Sequence, residues 1–308
     1  MLSKTKLYLR LFMGNLISAL FYYLFLLPIS WLPLPVLYLI SDFLYFILYS
    51  LLGYRKKIVW ENLRNSFPEK SEEELKVIMR KFYGHFCDVV GEGLKSLSTS
   101  EKQLQRQVEP VNTELIEKYY QLNKSVILCT GHYANWEWPA VAFIRHSSHK
   151  ALGIYLPLKS KFFDQKLQDT RSKFGLTLMS VKEVAEYFED HKNETCSYGF
   201  IFDQSPSNPK KGHWMKFLNQ DTSVMTGVER YAVKYDFPVI YGKIIKLKRG
   251  KYRITYELVT DTPRQTKENE ITEKIYHINE SIIRSAPEYW LWTHRRWKHK
   301  KSGDEEKR

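Results

Sequence analysis

The chain has 308 residues, of which 44% are hydrophobic and 15% aromatic, and it carries a net charge of +13. This length buries a sizeable core, and the three scattered cysteines, with no C-x-x-C pair, exclude a small disulfide-stapled fold. The basic charge indicates an acidic partner, which leaves nucleic acid, an anionic membrane surface and an acidic protein as candidates.

The first 53 residues are predicted to anchor the protein in a membrane. Between Leu11 and Gly53 the only charged residue is Asp42, and prolines at 28, 33 and 35 divide the stretch into two apolar arms, Leu11–Leu27 and Val36–Leu52. Each arm is slightly shorter than the ~20 residues that span a bilayer core. Basic residues flank both ends, so a hairpin and a single tilted span with an interfacial second arm both remain open. A buried helical pair in a soluble core is the alternative.

From position 54 to 297 the pattern is that of an α/β domain. A helix is predicted over Val59–Asn65, and another begins after Ser71, with Glu74 completing a capping box. Strands then alternate with helices, which predicts a mixed, largely parallel sheet flanked by helices. The predicted strands are Ser125–Cys129, Lys150–Tyr155, Cys196–Phe202, Pro238–Ile245 and Tyr252–Val259; the predicted helices are Phe162–Phe174, Val181–Asp190, Gly227–Tyr235 and Thr266–Ser285. Residues 298–308 form a charged tail.

The most informative segment is Gly131-His132-Tyr133-Ala134-Asn135-Trp136-Glu137-Trp138, directly after the first predicted strand. At the carboxyl end of a strand, His132 would face the crevice in which open α/β sheets bind ligands. If a helix begins at Ala134, Glu137 lies about one turn beyond His132, and its carboxylate holds one imidazole nitrogen. A histidine held in this way acts as a general base; the alternative is a strand-end histidine that only bonds the backbone.

Three further groups are candidates for binding a substrate. Arg171 could bind a phosphate in bidentate fashion or hold an oxyanion, or else lie on a solvent-exposed helix face. Asp203 and Gln204 follow a predicted strand, where they would position an acceptor or brace the catalytic loop, although an aspartate at that place also commonly caps a turn. A late cluster would suit either a lipid headgroup interface or stacking on nucleic acid: Trp290, Trp292, Arg295, Arg296 and Trp297.

Several blocks of the chain stand in the order seen in the lipid A biosynthesis lauroyl/myristoyl acyltransferases, which belong to the wider lysophospholipid acyltransferase group. The chain resembles this family over nearly its whole length. The blocks are Tyr54–Lys57, Asn62–Leu63, Phe67–Glu69, Gly131–Glu137, Pro157–Lys159, Arg171–Gly175, Asp203–Gln204, Thr226–Gly227, Pro287–Glu288 and Trp292–Trp297. The resemblance implies a glycerolipid-acyltransferase-like fold and an inner-membrane O-acyltransferase whose catalytic domain lies on the cytoplasmic side.

The resemblance also implies a reaction, the transfer of a fatty acyl chain from acyl carrier protein to a hydroxyl of a lipid A precursor. His132 would be the general base, oriented by Glu137. A thioester donor is already activated, so no metal or cofactor is expected. Leu156 stands where family members often carry arginine, which leaves Lys159 or Lys161 as a substitute for that phosphate contact. An aminolipid, a glycolipid or a lysophospholipid remains an alternative acceptor.

Other functional classes account for less of the chain. A nucleic-acid-binding protein would explain the charge and the aromatic residues, but it leaves the apolar N-terminus unexplained. A metallohydrolase would need a third ligand beside His132 and Glu137, and the sequence has no H-E-x-x-H motif. A basic, membrane-associated binding protein is the remaining alternative from a different class.

Overall fold

A computed structural model describes residues 14–143 and 147–301 of the chain. Parts of three sequence predictions lie outside these described residues. They are the start of the first apolar arm (11–13), the basic residues at 4, 6 and 10 that precede it, and positions 302–308 of the charged tail.

The centre of the described chain is a seven-stranded sheet in the order β1-β9-β8-β2-β5-β3-β4. Neighbouring strands are parallel except β8 and β9, which form an antiparallel hairpin. A separate antiparallel hairpin consists of β6 and β7. The strands are β1 (Val108–Val111), β2 (Val126–Thr130), β3 (Lys150–Tyr155), β4 (Thr177–Ser180), β5 (Cys196–Ile201), β6 (His213–Phe217), β7 (Gln220–Val224), β8 (Val239–Lys248) and β9 (Lys251–Thr260).

Helices flank this sheet, and the predicted mixed, largely parallel α/β architecture is confirmed. The sequence located five of the strands and each long helix of the domain to within a few residues, while β1, β4 and the β6–β7 hairpin were not predicted. The helices are α1 (Gly14–Trp31), α2 (Leu34–Leu51), α3 (Lys56–Ser66), α4 (Glu72–Lys95), α5 (Glu101–Gln107), α6 (Glu114–Gln121), α7 (Glu137–Phe143), α8 (Lys161–Ser172), α9 (Val184–Asp190), α10 (Gly227–Tyr235) and α11 (Glu270–Ser285).

Helices α1 and α2 are each long and apolar enough to cross a membrane. Few of their residues are buried, which does not fit the alternative of a helical pair inside a soluble core. The first arm was expected to end before Pro28, but α1 continues through this proline to Trp31. A π-helical turn over Tyr22–Leu26 precedes Pro28, and such turns accommodate a residue that lacks an N–H donor.

Helix α2 packs along α4, the longest helix of the domain. The Tyr38 hydroxyl donates a hydrogen bond to Glu92 at 2.9 Å. Ser41 lies so close to Gly91 that a Cβ atom at position 91 would stand 2.5 Å from the Ser41 hydroxyl. Asp42, the one charged residue of the arm, pairs with Arg249 of the β8–β9 turn at 2.6 Å. The second apolar helix is therefore fastened to the α/β domain by polar contacts on one face.

The first turn of α4 has the predicted capping box. The Ser71 hydroxyl accepts from the backbone N–H of Glu74 at 3.3 Å, and the Glu74 carboxylate accepts from the backbone N–H of Ser71 at 2.8 Å. Such a box stabilises a helix start by about 1 kcal/mol. It fixes the beginning of the helix that carries Glu92 toward the sheet.

Candidate active site

His132 lies just beyond the end of β2 and is held by Asp203, which lies just beyond the end of the neighbouring strand β5. The two strands are parallel and adjacent, so their carboxyl ends meet at one edge of the sheet. The Asp203 carboxylate accepts from the backbone N–H of His132 at 2.8 Å and lies 2.6 Å from its Nδ1 atom. These two contacts fix both the backbone and the imidazole ring of His132.

Asp203 is an ionised carboxylate in a buried position. Its side chain is only 1% exposed, and the Trp290 indole N–H donates to it at 2.7 Å. Burial by itself would raise the pKa of Asp203, but the electrostatic interaction with His132 and the hydrogen bonds from His132 and Trp290 outweigh burial, and the pKa is lowered. An ionised Asp203 can only accept, so Nδ1 of His132 is the nitrogen that carries the proton.

The other ring nitrogen of His132, Nε2, contacts Gln204. The Gln204 side-chain amide lies 3.1 Å from Nε2, and with Nδ1 protonated this contact is a donation from Gln204 to the free lone pair of His132. The Trp136 ring packs edge-on against the imidazole at 5.1 Å between centroids. The His132 side chain is 17% exposed, so the ring is partly open to solvent.

Position 131, at the end of β2, must be glycine because neighbouring side chains leave no room for a Cβ atom there. A Cβ atom at position 131 would lie 2.6 Å from the Asn279 side-chain oxygen and 2.9 Å from the Asp203 carboxylate. Any larger residue would therefore push Asp203 away from His132. The sequence indicated a glycine for a sharp turn, and the structure gives a different reason, the narrow space between β2 and the buried acid.

The expected bond between Glu137 and His132 is not what the structure shows, and the expected helix start at Ala134 is wrong. Helix α7 begins at Glu137, because Ala134 takes a left-handed conformation (φ 53°) and Asn135 caps the helix. The Asn135 side-chain oxygen accepts from the backbone N–H groups of Glu137 and Trp138, each at 3.0 Å. Glu137 is thus not one helical turn beyond His132.

Glu137 instead forms a bidentate ion pair with Arg171. The Arg171 Nε donates to the carboxylate at 2.8 Å, and a second, short bond joins an Arg171 terminal nitrogen to the other carboxylate oxygen. The two side chains are 28% and 23% exposed, so the pair is partly open to ligands. Arg171 was expected either to bind substrate or to face solvent, and the structure pairs it with Glu137, the first residue of α7.

A second buried carboxylate, Glu92, holds the loop of residues 131–136, which carries His132. Glu92 is fully buried and accepts hydrogen bonds from the Asn135 amide at 2.7 Å, the Tyr252 hydroxyl at 2.7 Å and the Tyr38 hydroxyl at 2.9 Å. Burial raises the pKa of Glu92, while the three donors act in the opposite direction. This role of Glu92 was not predicted, although an asparagine two residues before Glu-Trp-Pro is a recognisable helix-capping signal.

The structure also locates Lys159 and the late cluster of tryptophan and arginine residues. Lys159 lies exposed in the loop between β3 and α8, next to Leu158, which lines a groove described below. It is not one of the residues that contact His132. The late aromatic and basic cluster does not form a headgroup interface as a whole. Trp290, Trp292 and Arg296 are buried in the core, and Trp290 donates to Asp203, whereas Arg295 is exposed.

An inner cavity of about 110 Å³ lies between α7 and the sheet. Its lining is mostly apolar, and it reaches Glu137 and Arg171 at one end. Three strands contribute glycines to the sheet side of the cavity, where the absence of side chains leaves space: Gly153, Gly199 and Gly242. Gly153 and Gly199 are direct partners in the sheet. The cavity is therefore an apolar space that reaches the Glu137–Arg171 pair.

An outer groove of about 620 Å³ lies on the other side of the same ion pair. Its walls come from α1, α4 and α8, and it shares Trp136, Glu137, Val141 and Arg171 with the inner cavity. Two apolar spaces therefore meet at the Glu137–Arg171 pair, close to His132. Among the residues that the structure describes, no group of His, Cys, Asp or Glu side chains is arranged to hold a metal ion.

Comparison with known proteins places this site in a family. The family described as bacterial lipid A biosynthesis acyltransferase matches residues 8–299 of the chain. The chain is also 23% identical over 309 aligned positions to the lipid A biosynthesis lauroyltransferase of Escherichia coli (strain K12), an alignment that covers 89% of this chain and 93% of that protein. The match includes both apolar helices and every site residue described above, so this chain is an acyltransferase that belongs to the bacterial lipid A biosynthesis acyltransferase family.

Proposed function

We propose that this protein is a membrane-bound enzyme that moves a fatty acyl chain from an acyl carrier protein thioester to a hydroxyl of a lipid A precursor, with His132 as the general base. The observation that carries the proposal is the contact between the buried Asp203 carboxylate and Nδ1 of His132, whose ring packs against Trp136, a residue that lines both apolar cavities. Asp203 takes the orienting role that the sequence spacing had assigned to Glu137.

The proposed reaction has two steps. The acceptor hydroxyl attacks the thioester carbonyl carbon while Nε2 of His132 takes its proton, and Asp203 stabilises the imidazolium that forms. The tetrahedral intermediate then collapses: the new C–O ester bond remains, the C–S bond breaks, and the leaving thiolate takes the proton from Nε2. The imidazole is neutral again at the end of the cycle, so no group is consumed.

Arg171 is proposed to bind negative charge at the reacting centre. Its guanidinium is fixed by two bonds to Glu137, which leaves its remaining N–H groups to hold a lipid phosphate or the developing oxyanion. Glu137 is in this proposal a positioning residue for Arg171. Gln204, at 3.1 Å from Nε2, lies where the acceptor hydroxyl would arrive and would help orient it.

The charge and the apolar helices support the proposed partners and location. Acyl carrier protein is acidic, and a chain of net charge +13 with exposed lysines near the site, such as Lys159, attracts an acidic donor protein. Residues 1–53 would anchor the enzyme, residues 54–297 would form the catalytic domain, and residues 298–308 a charged tail. Basic residues on both flanks of the apolar arms would place the catalytic domain on the cytoplasmic side of the inner membrane.

The test is turnover by the full chain, purified in detergent, with acyl carrier protein thioester and a lipid A precursor. His132→Ala should lower kcat by roughly 10²- to 10⁴-fold, since a general base contributes about that much. Its melting temperature should stay close to that of the wild type, because the imidazole is partly exposed. Turnover by His132→Ala within a few-fold of the wild type would reject the mechanism.

A further inference from the structure

The outer groove is more than a wide entrance to the His132 site. It runs from the Glu137–Arg171 pair outward between α4 and α8 to the side of α1. Its lining is chiefly apolar and includes Val89, Leu97, Leu167 and Phe174. A water-filled passage for a polar molecule would not need such walls, whereas a hydrocarbon chain is stabilised by them.

The inner end of the groove lies next to the reacting centre. Trp136, which lines both cavities, packs edge-on against the His132 imidazole at 5.1 Å. A chain in the groove would therefore end within reach of the general base. The inner cavity leaves the same point in another direction, beneath α7 and along the sheet.

The outer end of the groove opens on the apolar surface of the first helix. Tyr22 and Leu26 of α1 form part of its wall, and their neighbours Phe21, Tyr23, Leu24 and Phe25 are exposed, as suits a helix surrounded by lipid. A chain could pass from a bilayer into the groove along this helix without crossing water. Lys166 lies at the same wall, with its ammonium 5.6 Å from the Tyr22 ring centroid, where it would meet an anionic headgroup.

We propose that the outer groove binds a hydrocarbon chain of the lipid acceptor and that the inner cavity is left to the donor chain. This inference rests on the proposed function, in which two hydrocarbon-bearing substrates meet at one base. The donor arrives on a water-soluble carrier protein, while the acceptor stays in the bilayer. The groove that is continuous with the apolar helix therefore suits the acceptor, and the inner cavity beneath α7, which α1 does not line, suits the donor.

Gly93 offers a direct way to fill the groove. It lines the groove from α4, and a Cβ atom added there would meet nothing within 4 Å. Leucine at this position would project into the groove, and leucine favours a helix more than glycine does, so Gly93→Leu should fold. Gly84 is a matched control, because it lies nine residues earlier on the same helix, its Cβ would also meet nothing within 4 Å, and it does not line the groove.

The experiment compares the full-length wild type, Gly93→Leu and Gly84→Leu in detergent micelles. The first measurement is equilibrium binding of radiolabelled lipid A precursor without donor. The second is the KM for each substrate during transfer, together with the release of free fatty acid from acyl carrier protein thioester in the absence of acceptor. The binding measurement needs no turnover, so it tests whether the groove binds the acceptor independently of the proposed reaction.

Gly93→Leu should weaken acceptor binding and raise the acceptor KM about tenfold or more, because several methylene groups lose their apolar contacts. The donor KM and the donor hydrolysis rate should stay within twofold of the wild type, and Gly84→Leu should match the wild type throughout. A higher donor KM or a changed donor chain-length preference, with acceptor binding intact, would assign the groove to the donor and overturn the inference. Unchanged binding of both substrates by a folded Gly93→Leu protein would overturn it as well.

Discussion

Asp203 and Glu137 are both carboxylates near the loop that carries His132, but their surroundings give them different partners. Asp203 is 1% exposed, sits behind His132 and accepts from the His132 backbone, the His132 ring and the Trp290 indole. Glu137 is 28% exposed, sits at the meeting point of two cavities and pairs with Arg171. The difference teaches that the acid nearest to a histidine in sequence need not be the acid that orients it.

Replacing the buried Asp203 should have the largest effect on kcat. Asp203→Asn should lower kcat by roughly 10²- to 10⁴-fold, because an amide can donate to Nδ1 and so favours the tautomer that leaves no free lone pair at Nε2. The measurement is single-turnover transfer by the purified protein, with melting temperature as a check on the fold. Asp261→Asn, at an exposed position just after β9, is the matched control and should leave kcat unchanged. If Asp203→Asn kept a third of the wild-type rate while Glu137→Gln did not, the two acids would have to exchange roles.

Replacing either member of the partly exposed Glu137–Arg171 pair should have a smaller effect on kcat/KM, and the two effects should not add. Glu137→Gln and Arg171→Gln should each lower kcat/KM by about tenfold to hundredfold, the range expected for the loss of charged hydrogen bonds. The double variant should be little worse than either single variant, because both changes disable the same guanidinium. A double-mutant cycle measures this coupling, and Lys234→Gln, which breaks an exposed pair with Glu189, should leave kcat/KM unchanged. Fully additive losses would show that Glu137 acts on something other than Arg171.

The smallest expected effect is on the pH dependence of stability, and it involves His294. Burial lowers the pKa of His294 to about 4, so this ring stays neutral in the folded protein below pH 6.5, where the unfolded chain takes up a proton. Its contribution to stability is present above about pH 6.5 and is lost as the pH falls toward 4, with a slope of at most about 1.4 kcal/mol per pH unit. Melting temperatures between pH 7.5 and 4.5 should fall less steeply for His294→Asn than for the wild type or for His277→Asn, an exposed control. Equal slopes in all three proteins would contradict this.

The sequence predicted the architecture better than the contacts at the site. Alternating apolar runs and turn residues located β2, β3, β5, β8 and β9, because buried strands leave a strong local signal. Short strands such as β4 leave a weak one. The spacing of His132 and Glu137 predicted a contact that depends on where a helix begins, and the Asn135 cap moved that start by three residues. The bond from Trp290 to Asp203 joins positions 87 apart in the chain, and no local pattern announces it.

The attachment of α2 to α4 has a practical consequence for protein production. A shortened chain that begins after position 53 would lose the Tyr38 donor to the buried Glu92 carboxylate, the Asp42 partner of Arg249 and the serine that fills the notch at Gly91. An expression variant should therefore keep α2 together with the residues that precede it, because the Ser30 and Leu32 carbonyls accept hydrogen bonds from the buried Lys95 ammonium. Polar substitutions on the exposed face of α2, at Leu39 and Phe43, would improve its solubility without touching these contacts.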